Sequence, residues 1–519
     1  MDEAAASFER ALERATTAAL AAMRARVAAL EPSVSRTLVG EVVRVGDGVA
    51  VARGLAAPVA GGLYEVGDTL GRADRVDERE LRLVLLARGR VEAGDVVRVH
   101  RGQLEVPAGP GLIGRVVDAL GRPIDDGGPL RGCRPTPVDG PAPALIEREV
   151  VSRPLCSGQT VIDAMIPLGL GQRQLVIGDR STGKTELCLD ILGALEPTLV
   201  GVYVAIGRRG AEVANTVEWL RARGFFARGF VVVADADDPI GLIHLAPYTA
   251  CAMAEALMRR GRDVVIVYDD LTTHAHAHRT LSLLLGRPVG REAHPVDVFH
   301  AHAHLLERAT QLGRAAGGGS LTALAIAETQ AGDLSAYIPT NLVSITDGQL
   351  RLDAALAAAG QLPAVDVGLS VSRVGGKAQP TTLRRLAGRL KNRYAQFLEL
   401  EQFARFGSRL EGENQRALEW GRRVRALLAQ ERGRPRGWGE MIVHLLLLES
   451  GAERLPLDAI AATAARASVQ ARAACPESIA ALDRGEALED DALARVRASV
   501  RGVVEEAVGG AMTPDQEDT

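Results

Sequence analysis

The chain has 519 residues, 47% of them hydrophobic and 24% charged, so it can bury a sizeable core and is not disordered over most of its length. Its 61 basic and 65 acidic residues leave a net charge of −4, which argues against a bulk electrostatic grip on nucleic acid and leaves room only for a local basic stripe. Aromatic residues make up only 3%, which argues against an extended base-stacking platform.

That length suggests about three domains. Asp2 to Leu30 read as an Ala-rich helix with Phe8, Leu12, Leu20, Met23 and Val27 on one stripe, closed by Pro32. Such a helix packs on its own protein or docks another subunit, and residues 1–35 are assigned to it. Residues 36–106 change texture. GEVVRVGDGVAVARGL alternates apolar and polar around a Gly46–Gly48 turn, and short strands follow at Leu81–Leu86 and Val96–His100. Short strands with frequent turns predict a small β-barrel. Residues 107–380 alternate strand and helix, with apolar strands at Gln174–Ile177, Val200–Ile206, Phe230–Ala234, Val264–Val267 and Thr322–Ala327. Repeated βα units mean a mostly parallel sheet covered on both faces. Residues 381–508 are Leu/Ala/Arg-rich at helical spacing, broken near Gly433–Gly439 and Pro456, and predict a helical domain. Residues 509–519 are a polar, frayed tail. The overall class is multidomain α/β.

The longest uncharged apolar stretch, Pro239–Ala254, holds two prolines and His244, and is too short and broken to span a bilayer. The first residues carry no apolar signal core. Five scattered cysteines form no CxxC pair, so neither a disulfide framework nor a zinc knuckle is expected, and a reducing compartment fits.

Gly178-Asp179-Arg180-Ser181-Thr182-Gly183-Lys184-Thr185 is a complete P-loop between an apolar strand and a helix start. Its glycines let backbone N–H groups curl around phosphate oxygens, and the helix N-terminus adds a positive dipole end. Lys184 places a point charge on the phosphates, and Thr185 offers a hydroxyl to Mg²⁺. Only Lys184, Lys377 and Lys391 are lysines in this Arg-rich protein, which makes Lys184 more informative. The second half of such a site is an acid at the end of a neighbouring strand. Asp263–Asp270 supplies it, and Asp269 is the better metal candidate because it directly follows the apolar run.

These residues resemble the alpha subunit of the F-type ATP synthase over about residues 36–410, and more faintly to the end. The resemblance is carried by GDRSTGKT at 178–185, YDDL at 268–271, GREAHPVDVF at 290–299, GGGSLTALAIAETQAGDLSAYIPTNLVSITDGQ at 317–349 and VGLSVSRVGGKAQ at 367–379. It implies a β-barrel crown, a RecA-like nucleotide-binding domain and a C-terminal helical bundle. It further implies ATP or ADP with Mg²⁺ as ligands, and an alternating ring of three alpha and three catalytic beta subunits around a gamma-type rotor shaft. A peripheral stalk would meet the N-terminal region. The chain would reach the membrane only through that complex, on the cytoplasmic face of a bacterial inner membrane. Arg373 matches the family's arginine finger, which stabilises charge on a neighbour's transferred phosphate. Ser370 matches a serine of the same segment required for activity. Gln430 matches a glutamine placed against the adenine, and Arg432 stands where the family has a second. Ser181 replaces the family's P-loop glutamine.

Hydrolysis needs a carboxylate to orient water. The matching position here, after Gly207, holds Arg208, which accepts no proton. Glu212 lies one helical turn away, so the expected subunit binds nucleotide without turning it over. Arg208, a shortened crown and a divergent C-terminal third point to the alternate, N-type branch, with proton or sodium as the coupled ion. The other reading is a self-sufficient homohexameric ATPase, a secretion motor or RNA helicase, which would need its own base. Seven of the ten histidines fall within His274–His304. His274/His278 and His300/His304 have i,i+4 spacing, but no Cys or carboxylate completes either set, so packed histidines are expected rather than a structural metal site.

Overall fold

The computed structural model describes residues 39–511 apart from 56–57, 78–79, 88, 101 and 406–411, together with Thr17 and Met23. Apart from those two residues, the expected N-terminal helix lies outside the described residues, as do residues 512–519 of the tail.

Six strands form a closed barrel: β1 Val39–Gly46, β2 Val49–Arg53, β3 Leu63–Val66, β4 Thr69–Val76, β5 Leu81–Leu85 and β6 Val96–Val99, in the order β1-β2-β5-β4-β3-β6. The alternation read in the sequence becomes inside and outside. Leu81, Leu83 and Leu85 point in, and Arg82 and Val84 point to the rim. β1 and β2 are joined by Asp47-Gly48, both at positive φ (51° and 82°), the two-residue turn whose twist matches paired strands. β3 and β4 were not foreseen, because their apolar residues are few and separated by charged ones.

The central sheet has ten strands, eight of them on one continuous path. These are β7 Val116–Asp118, β8 Arg173–Gly178, β9 Val200–Arg208, β10 Gly229–Asp235, β11 Asp263–Asp269, β12 Ser320–Glu328, β13 Gly348–Leu352 and β14 Val371–Ser372, ordered β14-β13-β8-β12-β11-β9-β10-β7. All neighbours on this path are parallel except β13 and β14. The five strands legible in the sequence, β8 to β12, are its centre. They are buried along nearly their whole length, which is why they read as unbroken apolar runs. The helices used below are α1 Lys184–Ala194, α2 Gly210–Ala222, α3 Ile240–Met258, α4 Leu271–Leu284 and α5 Val298–Leu306. The helix α3 is the one described segment long and apolar enough to cross a membrane, but 78% of its apolar window is buried inside the protein. It is a core helix.

Gly241 on α3 shows how the barrel is seated. A Cβ there would stand 2.5 Å from the Leu85 carbonyl oxygen of β5, so only glycine allows this approach. Val49 of β2 packs with Leu281 and Leu285 below it, and Arg287 pairs with Asp74 of β4. After Thr381 the described structure is helical to Ala511. Its apolar face, from Leu383 to Val504, shares one hydrophobic core with Val176, Leu187 and Leu192.

Candidate phosphate-binding site

The strands β8, β9, β11 and β12 end on one edge, where the loops after parallel strands open into a crevice. A cleft of about 750 Å³ lies there, lined among others by Arg180, Lys184, Thr185, Arg208, Asp269 and Arg432. The loop between β8 and α1 carries the glycine-rich segment. Gly183 stands at φ 92° and Ser181 at φ 61°, a region that favours glycine. The serine therefore holds a conformation for which its side chain is poorly suited.

Lys184 is 6% exposed and its Nζ donates to the Asp179 carbonyl oxygen at 2.6 Å. Burial pushes its ammonium pKa down, while Glu328, Asp270, Asp269 and Asp179 oppose that. Asp179 is itself fixed by the Thr329 hydroxyl (2.6 Å) and the Gly332 amide (2.8 Å). Arg180 donates to Glu328 at 3.0 Å.

Asp269 ends β11 and is 1% exposed. Its Oδ2 accepts from the Thr185 hydroxyl at 2.9 Å and from the Tyr203 hydroxyl at 2.7 Å. Its Oδ1 is buried without a hydrogen-bond partner, and the Arg208 guanidinium stands 3.8 Å away. Burial raises the Asp269 pKa, with Arg208 the largest opposing influence. Asp270 acts on the backbone instead. Its carboxylate accepts from the Thr273 amide and caps α4. Burial, then Asp269, pushes the Asp270 pKa up to about 6.

Arg208 is aimed by the backbone. The pairing of β9 with β10 shifts register between Ile206 and Arg208, and Gly207 sits at φ 62°. A bulge there re-aims the next side chain. Arg208 lies between Asp269 and Glu212, with Nε 3.4 Å from Glu212 Oε2. The Glu212 side chain is half exposed, so solvent screens this pair to no more than about 1 kcal/mol.

Of the remaining expected site residues only Arg432 lines the cleft. Gln430 is buried and spends its amide nitrogen on the Gly158 (2.6 Å) and Arg434 (2.7 Å) carbonyls, and its oxygen on Thr160. It is turned away from the cleft, whereas Arg432 lines it and stands 5.2 Å from the Trp219 ring centroid. Ser370 accepts from the Arg351 amide (2.9 Å) and donates to the Asp366 carbonyl (2.6 Å), which ties its loop to β13. Arg373 is exposed, and its guanidinium donates to the Thr346 carbonyl at 3.2 Å. Neither residue lines this chain's own cleft. Tyr203 and Trp219 were missed in the sequence. Tyr203 sits inside an apolar strand and Trp219 on a polar helix, with no motif around either.

The histidines assemble differently from their spacing. His244, outside the run, meets His278 at 3.0 Å, and His274 meets His302 at 3.1 Å. A carboxylate does join them, contrary to the sequence expectation: Asp297 lies 2.9 Å from His278 Nε2. Among the described residues no group of three or more His, Cys, Asp or Glu side chains is arranged to hold a metal.

His302 is fully buried, and burial, aided by His278 and His294, pushes its pKa down to about 3. An unfolded histidine takes up its proton near pH 6.5. This contribution is therefore complete above pH 6.5 and is lost as pH falls from there towards 3. Relative to His302→Phe, the wild type is expected to lose about 2 kcal/mol between pH 7 and pH 5. Melting temperatures of both proteins at the two pH values check this. An unchanged gap would mean that His302 titrates normally.

A sequence model of the ATP synthase alpha/beta family, nucleotide-binding domain, matches residues 158–372, and a second, of the C-terminal domain of the ATP synthase alpha/beta chain, matches residues 379–503. ATP synthase subunit alpha 2 of Albidiferax ferrireducens is 49% identical over 442 residues, 85% of this chain and 83% of that protein. ATP synthase subunit alpha 2 of Syntrophotalea carbinolica is 51% identical over 416 residues, 80% of each protein. ATP synthase subunit alpha 1 of Chlorobium luteolum is 46% identical over 468 residues, 89% of this chain and 92% of that protein.

Proposed function

The chain belongs to the ATP synthase alpha/beta family and is an F-type alpha subunit, and on that premise we propose that it holds ATP or ADP without hydrolysing it and lends Arg373 to a neighbouring subunit's site. The partners are beta-type catalytic subunits in an alternating ring around a gamma-type shaft, with a peripheral stalk at the N-terminal region. Through that complex the chain sits at the membrane, on the cytoplasmic face, and takes part in coupling ATP chemistry to proton or sodium transport.

The observation that carries the reading is Arg208. It stands at the end of β9, where a water-orienting carboxylate would be needed, and it is a permanent cation. Glu212, the nearest candidate replacement, is paired to Arg208 at 3.4 Å and its side chain is half exposed. A base displaced by a helical turn loses the alignment on which its catalysis depends.

The P-loop amides, Lys184 and the dipole of α1 would hold the phosphates. Mg²⁺ fits beside them. Asp269 Oδ1 is a buried oxygen with no hydrogen bond, and Thr185 already lies against the same carboxylate. Those two residues would hold the ion, which supplies charge neutralisation on the phosphates when bound. Arg432 and Trp219 flank the same cleft and would meet the base end of the nucleotide. The exposed Arg373 lies outside this cleft, as a residue acting on another subunit requires. The full chain alone tests the reading: it should retain nucleotide on purification and release no phosphate from ATP.

A further inference from the structure

We propose that the Arg208 guanidinium takes over part of the divalent cation's work, so that this cleft accepts uncomplexed ATP or ADP nearly as well as the magnesium complex. The inference rests on the reading of the cleft as a nucleotide site. It assigns Arg208 a positive binding role, which the absence of a catalytic base does not require.

Position comes first. The register shift and the left-handed Gly207 turn Arg208 towards the P-loop side of β9. A Cβ at residue 207 would stand 2.9 Å from Thr273 Cγ2, so the bend is held by packing. Arg208 thus lies in the cleft with Lys184 and Thr185.

Its contacts come second. The guanidinium faces Asp269 Oδ1 at 3.8 Å, the oxygen of that carboxylate left without a hydrogen bond. A divalent ion held by Asp269 would face a fixed positive charge close by, and like charges at such range repel. Meanwhile, both ion pairs of Arg208 are longer than a formed charge-assisted bond of about 2.7–2.9 Å. The planar fork keeps donors with which to bridge Asp269 and a phosphate oxygen.

Charge balance is the third point. Arg180, Lys184, Arg208, Arg209 and Arg432 line the cleft together with five carboxylates, so Arg208 offsets one acid that would otherwise call for a metal. Free ATP is more negative than its magnesium complex, and Arg208 adds a cation beside Asp269, at the position where the complex would carry its metal. Repulsion of the metal and attraction of the bare phosphates both narrow the usual advantage of the complex.

Calorimetric titration of the full chain with ATP, in excess Mg²⁺ and in EDTA, tests this. Wild-type affinity should fall by less than about tenfold on removing the metal, and that of Arg208→Gln by about a hundredfold or more. Arg208→Lys keeps the charge without the fork and should fall between them. Melting curves establish that the variants fold, and the wild-type pair of titrations decides even where they do not. A loss of about a hundredfold or more in the wild type, or equal metal dependence in wild type and Arg208→Gln, overturns the proposal. No ATP binding under either condition would instead refute the nucleotide reading of the cleft itself.

Discussion

Arg373→Lys is expected to lower steady-state ATP hydrolysis by the assembled complex by about 10³–10⁵-fold, or roughly 4–7 kcal/mol of transition-state stabilisation. Lysine keeps the charge and loses the planar fork that spreads contact over several phosphate oxygens. The fold should tolerate the change, because Arg373 is exposed and its guanidinium makes a 3.2 Å bond to the Thr346 carbonyl. Nucleotide held in this chain's own cleft should change little, since Arg373 does not line it. Turnover of the reconstituted complex, with bound nucleotide counted alongside, separates the two effects. Unaltered turnover would remove Arg373 from the neighbour's chemistry. Ser370 belongs to the same segment, and its two hydrogen bonds tie that segment to β13 and Asp366. Its part in activity is proposed to be the placing of Arg373.

The second large effect is on binding. Lys184→Ala removes a buried cation whose Nζ rests 2.6 Å from a P-loop carbonyl. Truncating one partner of a buried charged pair costs about 2–5 kcal/mol, which is roughly 30- to 4,000-fold in Kd. The loss should fall on ATP and ADP alike, because the P-loop lysine reaches the phosphates rather than the base. Nucleotide content of the purified variant, measured after denaturation, reads this directly. Unchanged content would place the nucleotide somewhere other than this cleft.

Much of the architecture was legible because burial writes a plain pattern. The strands β8 to β12 are covered on both faces and appear as apolar runs, and the P-loop lies between β8 and α1 as its glycines require. Asp269 was legible for the same reason, as the acid that closes an apolar run. The barrel was legible through β1, β2, β5 and β6. The strands β3 and β4 escaped because Glu65, Arg72, Asp74 and Arg75 interrupt their apolar residues.

What the sequence hid are meetings between distant segments. Tyr203 reaches Asp269 across two adjacent strands, 66 residues apart in the chain. His244 joins His278 from another helix, and Asp297 arrives from the start of α5. Helical spacing alone paired His274 with His278, whereas packing pairs each with a partner elsewhere. Motif position suggested an adenine contact for Gln430. Its buried amide instead bridges the Gly158 and Arg434 carbonyls, which belong to distant segments of the chain, and local sequence does not encode that. The aim of Arg208 likewise depends on a bulge that becomes visible only when β9 is paired with β10.

The division of labour between a nucleotide-holding subunit and a catalytic partner rests on Arg208 standing where a base is required. Phosphate release from ATP by the isolated full chain, in excess Mg²⁺, tests it most directly. The expected result is bound nucleotide with no turnover above background, and Glu212→Gln should leave that result unchanged. Robust hydrolysis by the chain alone, abolished by Glu212→Gln, would show that Glu212 serves as the base despite its displacement, and would make this protein a self-sufficient ATPase.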